Sequence, residues 1–334
     1  QKPRFDNVGD KLLLANHSLR QLNIVNLGSN KGQFSSVESL VNKCVTPMGR
    51  RYLKDKILHP VTNISYLNGQ YNMIDYLIKN WDKYEFLRKS FQAITDIEHL
   101  YRKIIFNKIS PNDLFNFNNN LHCIIDIHKI LKTDKVMMKY IKNNIGTNIE
   151  DVCTKLISML ERNLNMKTCS TLVNNKFEEN FINKNVNSVL DQASDEFDET
   201  ILVKDKWIDT LSGLLSKIKD RQAKNAIKIQ VTDKKGMYFY ATPARCRGIQ
   251  ENLTKNHKKN NFIVNSLDFS SFKHTSGAIG NNNKMGGSVL KKFYDTYGQK
   301  LDNMKEVLSN VYTEFIISLR EYNNEMNDFV KYVS

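Results

Sequence analysis

Twelve side chains between Lys228 and Lys284 have the chemistry to hold a polyanion: Lys228, Lys234, Lys235, Arg245, Arg247, Lys255, His257, Lys258, Lys259, Lys273, His274 and Lys284. Flexible cations grip phosphate oxygens when one exposed surface positions them together. Their arrangement suggests no base reading, so the predicted grip is on a nucleic-acid backbone and weakens with salt. Lys234 and Lys235 fall on a predicted turn, where contact is favoured. For Lys255 to Lys259 a solvated charge run that keeps a loop soluble is the alternative.

The rest of the chain offers little else that reacts. Asn, Lys and Ile are abundant, and 49 basic against 35 acidic residues leave a net charge of +14. Such an excess suits nucleic acid first and an anionic membrane surface second, with AT-rich coding as a compositional alternative. No nucleophile-and-base set or acidic metal constellation stands out, so an enzyme is not predicted and no catalytic or metal site is assigned. His122, Cys123 and His128 match no common zinc spacing and read as helical surface residues. Gly277 to Lys284 imitates a phosphate loop, but Met285 follows the lysine, no Gly precedes it, and no buried strand leads in. It reads as a flexible loop. Five scattered cysteines, Cys44, Cys123, Cys153, Cys169 and Cys246, predict reduced thiols in an intracellular protein. No apolar run is long enough to span a bilayer, so no membrane role is expected. With no initiating Met and an apolar pattern still open at Ser334, the chain reads as a piece of a longer protein.

The cations need elements to hold them. Ile227 to Val231 alternates apolar and polar, Asp233-Lys234-Lys235-Gly236 is a turn, and Met237 to Tyr240 is a return strand. Leu190, Ala193, Phe197, Ile201, Ile208, Leu211, Leu215 and Ile218, interrupted at Lys204, predict one long helix or two nearly continuous ones from Asn187 to Asp220. Leu290 through Phe329 steps by three or four without a break, which predicts one helix about 60 Å long. A small globule cannot bury such a rod alone. The two long helices are therefore predicted to pair antiparallel, with the hairpin and the basic loops at their tip. Arg245 to Gly287 has few apolar residues and is expected to be partly disordered. Every clear element before Asn187 is a helix, including one opened by the Ser110-Pro111-Asn112-Asp113 start signal and one by a Thr147/Glu150 capping box.

Phe34 to Pro60 organises the N-terminal half. Ser35 and Glu38 offer a capping box, and Val37, Leu40, Val41 and Cys44 an apolar stripe. Thr46 caps a second helix with Pro47 at its first position, and Met48, Tyr52, Leu53, Ile57 and Leu58 face inward. Pro60 ends it.

Thr46-Pro47-Met48-Gly49-Arg50-Arg51-Tyr52-Leu53, followed by Ile57-Leu58-His59-Pro60-Val61, resembles the core (lever) domain of the MutS family of DNA mismatch-repair ATPases. Asp96-Ile97-Glu98-His99 resembles that family's Asp-Leu-Glu-Arg helix, and the Lys228 to Tyr240 hairpin more loosely resembles its clamp. The resemblance implies a mainly α fold: a helical core over residues 1–185, a clamp region over 186–287, and a returning lever helix over 288–334. It implies double-stranded DNA as partner and a homo- or heterodimer with another MutS-like protomer; the residues nominated to hold the DNA, from their charge and place near the tip, are Lys228, Lys234, Lys235, Arg245, Arg247, Lys255, Lys258, Lys259, Lys273 and Lys284. ATP and Mg are implied only for a parent protein, in an ATPase domain beyond this chain. Phe177-Glu178-Glu179 fits the letters of the family's Phe-x-Glu mismatch wedge but lies too late in the chain, and is read as coincidence. The nucleus or cytoplasm is expected, with an organelle or viral factory left open. A helical scaffold for protein partners and an RNA-binding module are the rival readings.

Overall fold

The computed structural model describes residues 11–12, 14–25, 32, 34–146, 148–172, 177, 179–216, 226–232, 236–257, 263–276 and 279–334. It is mainly helical with a small antiparallel sheet. The elements are α1 (Asn16–Gln21), α2 (Val37–Val41), α3 (Pro47–Leu58), α4 (Ile64–Lys79), α5 (Trp81–Gln92), α6 (Ile97–Ile105), α7 (Pro111–Leu131), α8 (Lys135–Asn144), α9 (Ile149–Asn163), α10 (Met166–Thr171) and α11 (Ser188–Ser216). Then follow β1 (Lys228–Thr232), β2 (Gly236–Ala241), α12 (Pro243–His257), β3 (Ile263–Val264), β4 (Leu267–Asp268), β5 (Lys273–Ser276), β6 (Asn283–Gly286), α13 (Ser288–Leu319) and α14 (Asn323–Val333). Two compact units form: residues 1–183 with 313–334, and residues 184–312.

The first unit is built on α7. Leu114, Phe117, Leu121, Ile124, Ile127 and Leu131 recur at helical spacing and are buried. Each such side chain contributes roughly 1.5–3 kcal/mol by leaving water. Ser110 and Asp113 close the predicted capping box reciprocally, at 3.2 and 3.0 Å, with Pro111 at the first position. α9, α10, α5 and α6 all pack against α7.

The Thr-Pro-Met-Gly corner has a steric reason. Thr46 caps α3 by accepting from the Gly49 N–H at 3.0 Å. A Cβ at Gly49 would lie 2.7 Å from that same Thr46 Oγ1. One turn later Arg51 forks onto both oxygens of Asp96 at 2.8 Å and donates to Glu98 at 2.9 Å. Asp96 is itself the N-cap of α6. The two stretches that carry the family resemblance are thus bonded to each other.

Several expectations need correction. The first capping box uses Ser36 and Ser39, one residue later than predicted. Val37, Leu40 and Val41 are exposed, because α2 is too short to present an inward stripe, and Tyr52 of α3 is exposed as well. The predicted α4 stripe lies largely on the surface at Ile64, Tyr71, Ile74 and Ile78. Thr147 lies outside the described residues; Asn148 occupies the α9 N-cap and bonds Asp151. His128 is not a surface residue but buried, with Nδ1 3.1 Å from the Tyr332 hydroxyl. The last helix is broken: a 3-10 turn, Arg320–Tyr322, separates α13 from α14. There the Arg320 guanidinium donates at 2.6 Å to both the Ile105 carbonyl and Asn107 Oδ1, at the C-terminal end of α6. Asn107 adopts φ +53 to end α6.

In the second unit α11 and α13 run antiparallel. Glu196 pairs with Lys300, Phe197 meets Tyr297 at 5.3 Å between ring centroids, and Trp207 meets Phe293 at 6.4 Å. Partner numbers fall as α11 numbers rise. The region predicted to be partly disordered instead supplies α12 and four strands among the described residues. The hairpin β1–β2 is half of a four-stranded sheet ordered β1-β2-β6-β5, and β3 and β4 form a separate pair. The phosphate-loop mimic is in part a strand, since Asn283–Gly286 is β6.

Candidate nucleic-acid interface

The sheet register decides which cations share a surface. Lys228 lies opposite Tyr240, Tyr240 opposite Lys284, and Lys284 opposite Thr275. Directly opposed residues of antiparallel strands point the same way, and faces alternate along each strand. By register one face carries Lys228, Gln230, Tyr238, Tyr240, Lys284, Lys273 and Thr275, with Tyr238 buried beneath its neighbours. Two contacts agree with this parity. The Lys284 Nζ lies 4.6 Å from the centroid of the Tyr238 ring, and the Tyr238 and Tyr240 rings are 6.5 Å apart. Lys228, Lys273 and Thr275 are exposed, and Gln230, Tyr240 and Lys284 are half-buried.

The opposite face is apolar. Met237, Phe239, Ala241 and Met285 are buried in one cluster with Trp207 and Leu211 of α11, Cys246 and Ile249 of α12, and Leu290 and Tyr294 of α13. Phe239 stacks on Phe293 at 6.1 Å and meets Tyr294 edge-on at 5.5 Å. Tyr294 also bridges two strands. Its hydroxyl accepts from the Phe239 N–H at 3.1 Å and donates to the Met285 carbonyl at 3.2 Å. These groups lie where the short β2–β6 ladder, paired at Tyr240–Lys284 and Ala241–Asn283, does not join them. Burial pushes the Tyr294 hydroxyl well above the usual phenol range, so it stays protonated and able to donate. Burial likewise pushes the Cys246 thiol up to about 11, which leaves it inert at neutral pH.

Backbone chemistry closes the sheet. Gly287, immediately after β6, has φ +130, and a Cβ there would come within 2.2 Å of the Ser271 carbonyl oxygen. Only glycine lets the chain pass that point into α13.

Of the ten residues the sequence nominates, Lys228, Lys273 and Lys284 share the polar sheet face. Arg245, Arg247 and Lys255 do not join them: they lie on α12, flanking or opposing the buried stripe of Cys246, Ile249 and Leu253. Lys234, Lys235, Lys258 and Lys259 lie outside the described residues. The described ion pairs of this unit, Lys184–Asp195, Lys204–Asp205 and Lys300–Glu196, use none of the three sheet lysines. Sequence reasoning passed over Tyr238 and Tyr240 as members of this face. Their alternation with Met237 and Phe239 was the available signal.

Comparison with known proteins adds a family. The MutS domain III family model matches residues 17–334. The chain is 24% identical over 250 residues to a putative DNA mismatch repair protein mutS homolog of Acanthamoeba polyphaga mimivirus, covering 73% of the chain and 22% of that protein. It is 25% identical over 242 residues to the DNA mismatch repair protein MutS of Borreliella afzelii, covering 72% and 26%. With the MutS of Borreliella burgdorferi it shares 24% identity over 308 residues, covering 86% and 33%. The chain thus spans between 22% and 33% of the length of these relatives.

Proposed function

Because the chain belongs to the MutS family through its domain III, we propose that it is the lever-and-clamp portion of a MutS-like protein and grips duplex DNA through its phosphate backbone. The observation that carries this reading is the polar sheet face, where Lys228, Lys273 and Lys284 are free of described ion pairs and stand among Tyr240, Gln230 and Thr275. Strand spacing sets Lys228 and Lys284 about 10 Å apart at the backbone, two strands distant. Lys273 is the diagonal neighbour of Lys284 at about 7–8 Å. Three cations over such a patch suit a run of phosphates. Among the described residues the face offers three lysines and a single side-chain amide, Gln230, so the proposed grip is on the phosphate backbone and sequence-independent. Its Kd at physiological salt is on the order of 10⁻⁴–10⁻⁶ M.

In the parent protein, DNA held on this sheet acts through α11 and α13 on an ATPase domain that uses ATP and Mg, and two protomers close around the duplex. The relatives' names, DNA mismatch repair proteins, favour a repair role. A second reading as a protein-contact scaffold is favoured by the exposed apolar residues of α4, Ile64, Tyr71, Ile74 and Ile78. It requires no DNA binding.

The test is a salt titration of the full chain on a labelled duplex, beside the K228M/K273M/K284M variant. Each phosphate contact contributes about 0.9 to the slope of log affinity against log salt. Three contacts predict at least a roughly 40-fold loss between about 50 and 200 mM salt. The triple variant is expected to lower the slope by up to about 2.7. An unchanged slope, or retention indifferent to salt, would refute the phosphate-grip reading.

A further inference from the structure

Lys284 differs from the other two sheet lysines in what lies beneath it. Lys228 and Lys273 are exposed, whereas Lys284 is half-buried with its ammonium 4.6 Å above the Tyr238 ring centroid. Tyr238 is 4% exposed, so the ring is fixed by its surroundings. A free lysine side chain samples many rotamers, and ordering it on a ligand costs roughly 1–2 kcal/mol. A ring face under the ammonium attracts it electrostatically and restricts that sampling. It satisfies no N–H donor, so all three remain available to phosphate oxygens.

From this geometry we propose that Tyr238 is a positioning residue of the DNA-binding face: its ring pre-sets the Lys284 ammonium for a phosphate that Tyr238 itself does not touch. The inference rests on the DNA-binding reading and refines it. The ring is the working part and the Tyr238 hydroxyl is not, so phenylalanine replaces tyrosine and an aliphatic residue does not. Lys284 sits centrally, with Tyr240 beside it on β2 and Thr275 on β5. Its contact therefore fixes where the backbone crosses the sheet, while Lys228 and Lys273 reach from either side.

The experiment uses the full chain with four variants: Y238F, Y238L, K284M and Y238L/K284M. Two readouts are independent. In the absence of DNA, the proton shift of the Lys284 ε-methylene, moved upfield by the ring current, is expected to persist in Y238F and to relax to the free-lysine value in Y238L. With duplex DNA at low salt, Y238L is expected to bind roughly two- to five-fold more weakly than the unaltered chain, and Y238F to match it. K284M is expected to lower the salt slope by about 0.9. Adding Y238L to K284M is expected to cost nothing further, since the lysine it positions is gone. A merely structural tyrosine would weaken binding equally with or without Lys284, and that additivity would overturn the inference. So would Y238F behaving as Y238L. If the unaltered chain binds duplex without salt dependence, the DNA reading falls and the inference with it. If it binds with salt dependence while the Y238L and K284M effects simply add, only the inference falls.

Discussion

Asp134 is the most consequential buried charge in the first unit. Its side chain is 5% exposed and accepts from the Tyr76 and Tyr84 hydroxyls at 2.5 Å each and from Lys83 Nζ at 2.9 Å. It also caps α8 by accepting from the Val136 and Met137 N–H groups at 2.8 and 3.2 Å. Burial alone would raise its carboxyl pKa, but the Tyr76, Tyr84, Lys83 and Met137 hydrogen bonds together outweigh burial and hold it well below the usual carboxylate range. The same carboxylate pushes both tyrosines up to about 12, with burial leading at Tyr84.

Replacing it by alanine removes a cap worth about 1 kcal/mol. It also strands the buried Tyr84 hydroxyl, at about 1–3 kcal/mol. D134A should therefore cost roughly 3 kcal/mol and lower the urea midpoint of the unit by about 1–1.5 M. The pH sign follows from the depressed folded value. Asp134's contribution is complete above the ordinary carboxylate pKa near about 4 and is lost as pH falls from there toward the lower folded value. D134N keeps an acceptor at the cap but cannot titrate, so this share of the acid-induced loss should vanish. Hydrogen exchange at the Val136 and Met137 amides, with urea unfolding at several pH values, measures both effects. A D134A cost under about 1 kcal/mol, or equal acid sensitivity in D134N and the unaltered chain, would refute this account.

G287A should destabilise the second unit by about 3 kcal/mol, because positive φ and the Ser271 carbonyl both oppose a Cβ. Fluorescence of Trp207, buried against Phe269 at 5.0 Å, reports it, and a change below about 1 kcal/mol would contradict the geometry. R320A should cost about 1–2 kcal/mol, discounted for partial exposure, and raise hydrogen exchange at the end of α6 without touching β1 and β2. Exchange that rises equally everywhere would argue against a local tie.

The helices were legible where a cap and a period coincided. Ser110-Pro111-Asp113 ahead of the Leu114 stripe and Thr46-Pro47 ahead of Met48 are local signals, and local hydrogen bonds realise them. β5 and β6 were not legible because Lys273-His274-Thr275-Ser276 and Asn283-Lys284-Met285-Gly286 are short and mostly polar. They exist through ladder pairing, the Tyr294 bridge and the Gly287 passage, all set by distant residues. The break at Arg320 was hidden for the same reason: the apolar period runs straight through it, while the carbonyls that engage Arg320 lie more than 200 positions earlier. The burial of His128 depends on Tyr332, also remote in sequence. At the candidate interface the residue types were readable and the grouping was not. A one-dimensional charge run cannot say that Lys228, Lys273 and Lys284 align on one sheet face while Arg245, Arg247 and Lys255 belong to a helix.

The Tyr294 hydroxyl has a mechanical corollary. A slip of α13 by a single residue would turn that side chain through about 100° and carry it about 1.5 Å along the axis. It could not then reach both the Phe239 amide and the Met285 carbonyl. Helix and sheet are therefore pinned in phase, like a key in its slot, and any rotation imposed on α13 must either drag the lysine-bearing strands with it or break two hydrogen bonds in an apolar interior.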